Sequence, residues 1–268
     1  MCYVLFSIVA TNPTHVRMGF CFFVYVLYGS FFSCRILAGC YLRHTLLRGV
    51  IMKNIAAVVF DFDGVIVDSI PWVHLAMHKT FEHYKLPALS LSEMCNKVRY
   101  PLDEWFLARG VGVSKEEAIH RYRTFAQEVT NNQTEKTALV PGVKQLIEAL
   151  VERKVPRYIV SASQASIIED LLAHHGLKAH FDGVYAGAYS KHTTLRDIAA
   201  MYGAHPNRIA FIDDWHPGVI DGVLAGCFTV GFAREGYTSS DVLLEAGAHV
   251  TVPSHDDLLR VLDGFETP

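Results

Sequence analysis

Phe60-Asp61-Phe62-Asp63-Gly64-Val65 closes an apolar run, Ile55-Ala56-Ala57-Val58-Val59-Phe60. A short run with no polar member fits a strand covered on both faces, as in parallel sheets clothed by helices. In open α/β sheets, ligands bind beyond the carboxyl ends of the strands, which is where both aspartates fall. Period-two alternation starts the Asp61 and Asp63 side chains on one side. Two such carboxylates repel unless a cation or a shared proton compensates. Gly64 permits a sharp exit from the strand. The plainer alternative is a buried strand followed by an acidic turn.

Working outward, further apolar runs occur at 158–160, 183–185, 209–212 and 228–232. Amphipathic segments with helical spacing separate them, at 143–153, 166–175, 193–202 and 218–225. A last pair is a strand at 249–252 and a helix at 256–262. Ser166-x-x-Glu169 has the spacing to cap the 166–175 helix. The alternation implies an α/β fold with a parallel sheet. Residues 69–138 interrupt it, with helical patterns at 72–83, 102–108 and 114–130 and no strand. The division that follows is a leader at 1–51, a core at 52–69 and 139–268, and an inserted α-helical cap at 70–138.

The other strand ends also carry chemistry. Val160-Ser161-Ala162-Ser163 offers a hydroxyl, followed from Ala162 by backbone N–H groups at a helix start, both suited to a phosphate. Ser is also a common helix cap. Ser190-Lys191 brings a compact positive charge; the alternative is a solvated lysine near a helix start, where the dipole is slightly unfavourable. Phe211-Ile212-Asp213-Asp214 sets two carboxylates side by side, and hard oxygen donors are what Mg²⁺ prefers. Gly218 and Gly226 are spaced to open and close a helix-loop unit. Asp221 reads as a solvated helix-face residue.

The order Asp-x-Asp, Ser, Lys, Asp-Asp, each after a successive strand, resembles the haloacid dehalogenase-like hydrolases, in the branch of phosphoglycolate phosphatase and β-phosphoglucomutase. The likeness runs from Met52 to the C-terminal region and implies a Rossmann-like core. It implies that Asp61 is the nucleophile and carries a phosphoryl group, that Asp63 protonates the leaving group and then activates water, that Ser161 holds phosphoryl oxygens, and that Lys191 balances charge. Mg²⁺ would be held by Asp61, the backbone carbonyl of Asp63 and the acidic pair, with Asp214 before Asp213. Gly64 and Ala162 would meet the substrate. The simpler family pattern has an acid four residues after the second aspartate. Gly218 stands there, so the match is to the adjacent-acid variant. A phosphatase of small phosphorylated metabolites is the leading reading and a sugar phosphomutase the alternative. A binding module without turnover is a third reading. A phospho-receiver domain fails because its acidic pair comes first in sequence.

Weaker signals remain. His74-x-x-x-His78 shares one helix face but has Leu75 where a zinc protease has glutamate. Lys97 and Arg99, in a turn-like stretch before Pro101, could meet a second anionic group on the substrate. Trp72, Trp105 and Trp215 read as packing residues, with Trp215 beside the acidic pair.

The chain has 268 residues, 51% of hydrophobic type, and a net charge of −3, so it can bury a core and lacks the basic footprint of a nucleic-acid binder. Residues 1–60 contain no Asp or Glu, and four of the six cysteines precede Met52. Residues 18–34 are uncharged and lie at the short end of membrane-span length. A signal anchor, a targeting peptide and a translation start at Met52 compete, and the third is preferred. The remainder reads as a cytoplasmic protein without disulfides, without membrane contact for its core, and monomeric or homodimeric.

Overall fold

The structure is a computed structural model that describes residues 55–99, 102–130 and 137–265. The leader, with its candidate span and its proposed start at Met52, lies outside the described residues, as do Tyr100 and Pro101. Among those described, no helix is long and apolar enough to cross a membrane.

Strand β1 is Ala57–Phe60 and is fully buried. Its residues alternate between two apolar clusters. Val58 and Phe60 join Ile147, Leu150 and Ile168 on one face, while Ala57 and Val59 join Leu195, Ile198 and Phe211 on the other. That is why the run has no polar member. The remaining strands are β2 (Arg157–Val160), β3 (Gly183–Tyr185), β4 (Ile209–Asp213), β5 (Phe228–Phe232) and β6 (Val250–Val252). All pairings are parallel, in the order β3-β2-β1-β4-β5-β6. The chain winds outward from β1 to β3, then restarts at β4 on the other side. The carboxyl ends of β1 and β4 therefore form the topological switch point, where such sheets leave a crevice.

Among the described residues five helices lie between β1 and β2, and we treat the first four as the cap: α1 (Ile70–His83), α2 (Leu91–Lys97), α3 (Leu102–Ala108) and α4 (Lys115–Thr130). They close on a cluster of their own that includes Met77, Phe81, Met94, Phe106 and Ala118. Helix α2 adds to the expected set. Ser90 and Glu93 form a reciprocal capping box that starts it, so Lys97 ends a helix instead of lying in a turn. The outgoing and returning connections are zipped together. Asp68 N–H donates to the Ala138 carbonyl at 2.8 Å and Val140 N–H to Ile66 at 3.0 Å.

The core helices are α5 (Val143–Glu152), α6 (Ala165–His174), α7 (His192–Met201), α8 (His216–Ala225), α9 (Ser240–Glu245) and α10 (His255–Asp263). Two expectations change here. Ser166 does not cap α6: it lies inside the helix, and Gln164 takes the cap position without a side-chain bond. Helix α8 starts at His216 instead of Gly218, because Pro217 suits a first turn where no N–H partner is needed.

Candidate active site

Lys191, after β3, and the acidic pair at the end of β4 converge on Asp61 at the end of β1. Burial raises the Asp61 carboxyl pKa, the Lys191 charge pulls it down, and Asp213 and Asp63 push it up, which leaves it at about 7. Lys191 enters from the cap position of α7. Its Nζ lies 2.9 Å from Asp61 Oδ1 and 2.6 Å from Asp213 Oδ2, with little of the side chain exposed. Burial works against that ammonium, yet the two carboxylates outweigh it and hold its pKa above the ordinary lysine value. The reading of Lys191 as a solvated residue is thereby excluded.

Asp213 is held from both sides, since Trp215 N–H also donates to its Oδ1 at 2.9 Å. Its neighbour is placed differently. Asp214 is buried, and no described side chain donates a hydrogen bond to it. Burial, then the charges of Asp213 and Asp61, push its pKa well above the usual carboxylate range against the pull of Arg234 and Lys191. Arg234 and Lys191 offset this only in part, and a buried carboxylate with no cation in direct contact is costly. Asp61, Asp213 and Asp214 each bring one oxygen within 4.8 Å of the others. This oxygen-only set suits a hard divalent cation. With Asp213 committed to Lys191 and Trp215, Asp61 and Asp214 are the better placed pair.

Two glycines make room for the two acids. A Cβ on Gly64 would come 2.1 Å from Asp214 Oδ2, and one on Gly218 would come 1.8 Å from Asp213 Oδ2. Gly64 also sits at φ +78°, a conformation that side chains rarely adopt. The glycine at position 218 is thus the steric counterpart of Asp213, whose carboxylate fills the space beside α8.

Asp63 has its own set of partners. Ser69, where the chain enters α1, donates to its Oδ1 at 2.5 Å, and Ser163, after β2, donates to Oδ2. Ser161 is buried, and its Oγ accepts from Ser163 N–H at 3.0 Å. This turn carries Ala162 across the end of β2.

The description "Haloacid dehalogenase-like hydrolase" matches residues 58–232. The chain belongs to the haloacid dehalogenase-like hydrolase family. A phosphoglycolate phosphatase of Chromobacterium violaceum is 26% identical over 234 residues, covering 79% of this chain and 98% of the relative. A haloacid dehalogenase-like hydrolase of Streptococcus pneumoniae superposes with a TM-score of 0.65 at 21% identity, covering 78% and 98%. A Thermotoga maritima structure assigned as a β-phosphoglucomutase gives 0.54 at 23%, covering 79% and 99%. At these identities the structural likenesses bear on the fold alone.

Within this hydrolase, several side chains acquire roles that their sequence positions did not suggest. Asp221 is no solvated helix-face residue. It accepts from Lys191 N–H at 2.7 Å and pairs with His192, so it caps α7 and fixes the entry of Lys191. Ser69 and Ser163 were not singled out. Short polar residues beside a strand or helix end give no signal until the tertiary fold puts them next to Asp63. Arg99 is exposed, and its guanidinium donates to the backbone carbonyls of Asn96 and Val98. Lys97 pairs with Glu93 at 2.7 Å on the outer surface. His74 donates from Nε2 to the Leu89 carbonyl at 2.8 Å, which is a packing role. Trp105 stacks on Phe81, and Trp215 packs against the cap cluster. The two cysteines among the described residues, Cys95 and Cys227, are both free and buried.

Proposed function

We propose that this hydrolase is a Mg²⁺-dependent phosphatase of small phosphorylated metabolites, working through an aspartyl-phosphate on Asp61. The observation that carries the reading is the charge arrangement at the switch point. One lysine is bound to two carboxylates, and a third carboxylate, Asp214, is buried beside them without a donor. This is an arrangement for gathering anionic oxygen around Asp61, and phosphoryl transfer depends mainly on such positioning and charge stabilisation.

Asp61, Asp214 and the carbonyl of Asp63 would hold Mg²⁺, with Asp213 behind them. When bound, the ion offsets the negative charge that Asp61 and the phosphate bring to one place. Ser161 and the N–H groups that follow it from Ala162 bind phosphoryl oxygens, and Lys191 neutralises Asp61. An Asp61 oxygen attacks phosphorus while the bond from phosphorus to the ester oxygen breaks. Asp63 delivers its proton to that leaving oxygen. In the second half, Asp63 takes a proton from the water that attacks the phospho-aspartate, which releases phosphate and restores the Asp61 carboxylate. Ser69 and Ser163 keep Asp63 aimed through both halves. The likeness to a phosphoglycolate phosphatase supports hydrolysis over the mutase alternative. The assembled Asp61–Lys191–Asp213 network speaks against a module without turnover.

The test is phosphate release by the full chain over a panel of small phosphomonoesters and one aryl phosphate. Turnover that needs Mg²⁺ and stops in excess EDTA is expected. Turnover that continues in EDTA would overturn the metal assignment, and no release from any ester would overturn the phosphatase reading.

A further inference from the structure

We infer that core loop 233–239, after β5, is the grip by which the core holds the cap, and that Asn96 is the positioning residue through which it acts. The inference rests on the phosphatase reading only for its kinetic readout.

The loop meets the cap and its linker at once. Asn96, near the end of α2, donates from Nδ2 to the Tyr237 carbonyl at 3.0 Å and accepts from Ser239 N–H on Oδ1 at 2.9 Å. The same Nδ2 also donates to the Ser92 carbonyl at 2.7 Å within α2, so the amide is oriented from its own helix and offers one donor and one acceptor to the loop backbone. Beside it, the buried Thr238 hydroxyl lies close to the Cys95 thiol. The other side of the loop holds the outgoing linker, with Arg234 2.8 Å and the Tyr237 hydroxyl 3.1 Å from Asp68 Oδ1. The Arg234 guanidinium lies 4.0 Å from the Tyr237 ring centroid, which stiffens the loop. Asp68 is the residue before Ser69, which holds Asp63. Loop position, linker position and cap position are therefore tied together within a few residues of the proposed acid-base group.

Active-site lids must open and close. The Asn96 bonds suit a reversible seam, because water can satisfy the Tyr237 carbonyl and the Ser239 N–H once they part, so their net worth is small. Other cap–core contacts among the described residues lack this directionality: Trp215 packs against the cap cluster, and Arg123 lies over the exposed Tyr189 ring at 5.3 Å. Loop 233–239 thus sets the balance between closed and open cap.

Cys95 supplies a readout that does not need catalysis. It is buried at this seam, whereas Cys227 is buried in the core. The experiment compares labelling rates of the two thiols by a neutral thiol reagent, resolved by peptide mass spectrometry in the full chain. In Asn96→Ala, loss of two hydrogen bonds should raise the Cys95 rate about tenfold with Cys227 unchanged, and should raise KM while kcat holds or rises. Tyr237→Phe, which removes only the hydroxyl bond to Asp68, should raise the Cys95 rate about threefold and serves if Asn96→Ala does not fold. An unchanged Cys95 rate, a Cys227 rate that rises in step, or a fall in kcat at constant KM would overturn the inference. If wild-type protein releases no phosphate, the phosphatase reading fails and the labelling rates still decide the seam.

Discussion

The floor of the site and the cap above it handle charge in opposite ways. In the floor, Asp61, Lys191, Asp213 and Asp214 are buried together at the ends of paired strands. In the cap, the interior is Met77, Phe81, Met94 and Phe106, and the ion pairs Lys79–Glu128, Lys97–Glu93 and Lys115–Glu104 all lie on the outside. Exposed pairs of that kind contribute about 0–1 kcal/mol each. Buried charges interact strongly and are costly to leave unmatched. On the proposed reading, the sheet carries the chemistry and the cap is an apolar cover over it.

Substitutions can break or sharpen that contrast. Asp63→Asn alters the floor directly, and turnover should fall by about 10²–10⁴-fold, the usual worth of general acid-base catalysis. Steady-state kinetics with an aryl phosphate and with an alkyl phosphate check this, and the aryl ester should suffer less in the first half-reaction. A wild-type rate on both would remove Asp63 from the mechanism.

Phe106→Ala belongs to the cap. Phe106 is fully buried, so the cavity should cost about 3–5 kcal/mol in urea unfolding. Where the variant remains folded, aryl-phosphate turnover should fall far less than in Asp63→Asn. A fall as deep as that of Asp63→Asn would erase the division between cover and chemistry.

His255 tests the floor through pH. It lies under the segment that follows β1, with Nε2 2.8 Å from the Val65 carbonyl and its ring stacked on Phe232. Burial pushes its pKa down from 6.5 to about 4, although the Val65 carbonyl pulls the other way. The unfolded chain takes up the proton first as pH falls, so this stabilisation is complete above pH 6.5 and disappears on the way down to 4. The loss is roughly 3 kcal/mol. Urea unfolding of wild type and His255→Gln across that window checks it, and equal slopes would refute the assignment.

The smallest effect concerns the metal. Gly64→Ala pushes a Cβ into Asp214, so Mg²⁺ affinity should drop about 10–100-fold, the range for disturbed ligand support. Titration calorimetry reads this, and unchanged affinity would remove Asp214 from the ligand set.

How much of this the sequence carried depends on the kind of interaction. Strand ends were legible because burial on both faces leaves runs such as Val58-Val59-Phe60 without polar members, and the first acid after such a run marks the carboxyl edge. The floor residues Asp61, Ser161, Lys191 and Asp214 came from that rule together with family likeness. Helix α2 carries a signal too, the capping box Ser90-x-x-Glu93, but it is only four residues long and opens a helix of about two turns. Asp221 misled because helical spacing describes the face of α8 without describing what α7 brings against it. Ser163, Asn96 and loop 233–239 work through partners far away in the chain, and local pattern contains no trace of such contacts.

The central claim is that Asp61, held by Lys191, becomes phosphorylated. Acid quenching during turnover of an aryl phosphate, followed by peptide mass spectrometry, tests it most directly. The account predicts an acyl-phosphate on Asp61, enriched in Asp63→Asn because water then lacks its base, and absent in Asp61→Asn. Phosphate on Asp63, or full turnover by Asp61→Asn, would contradict it.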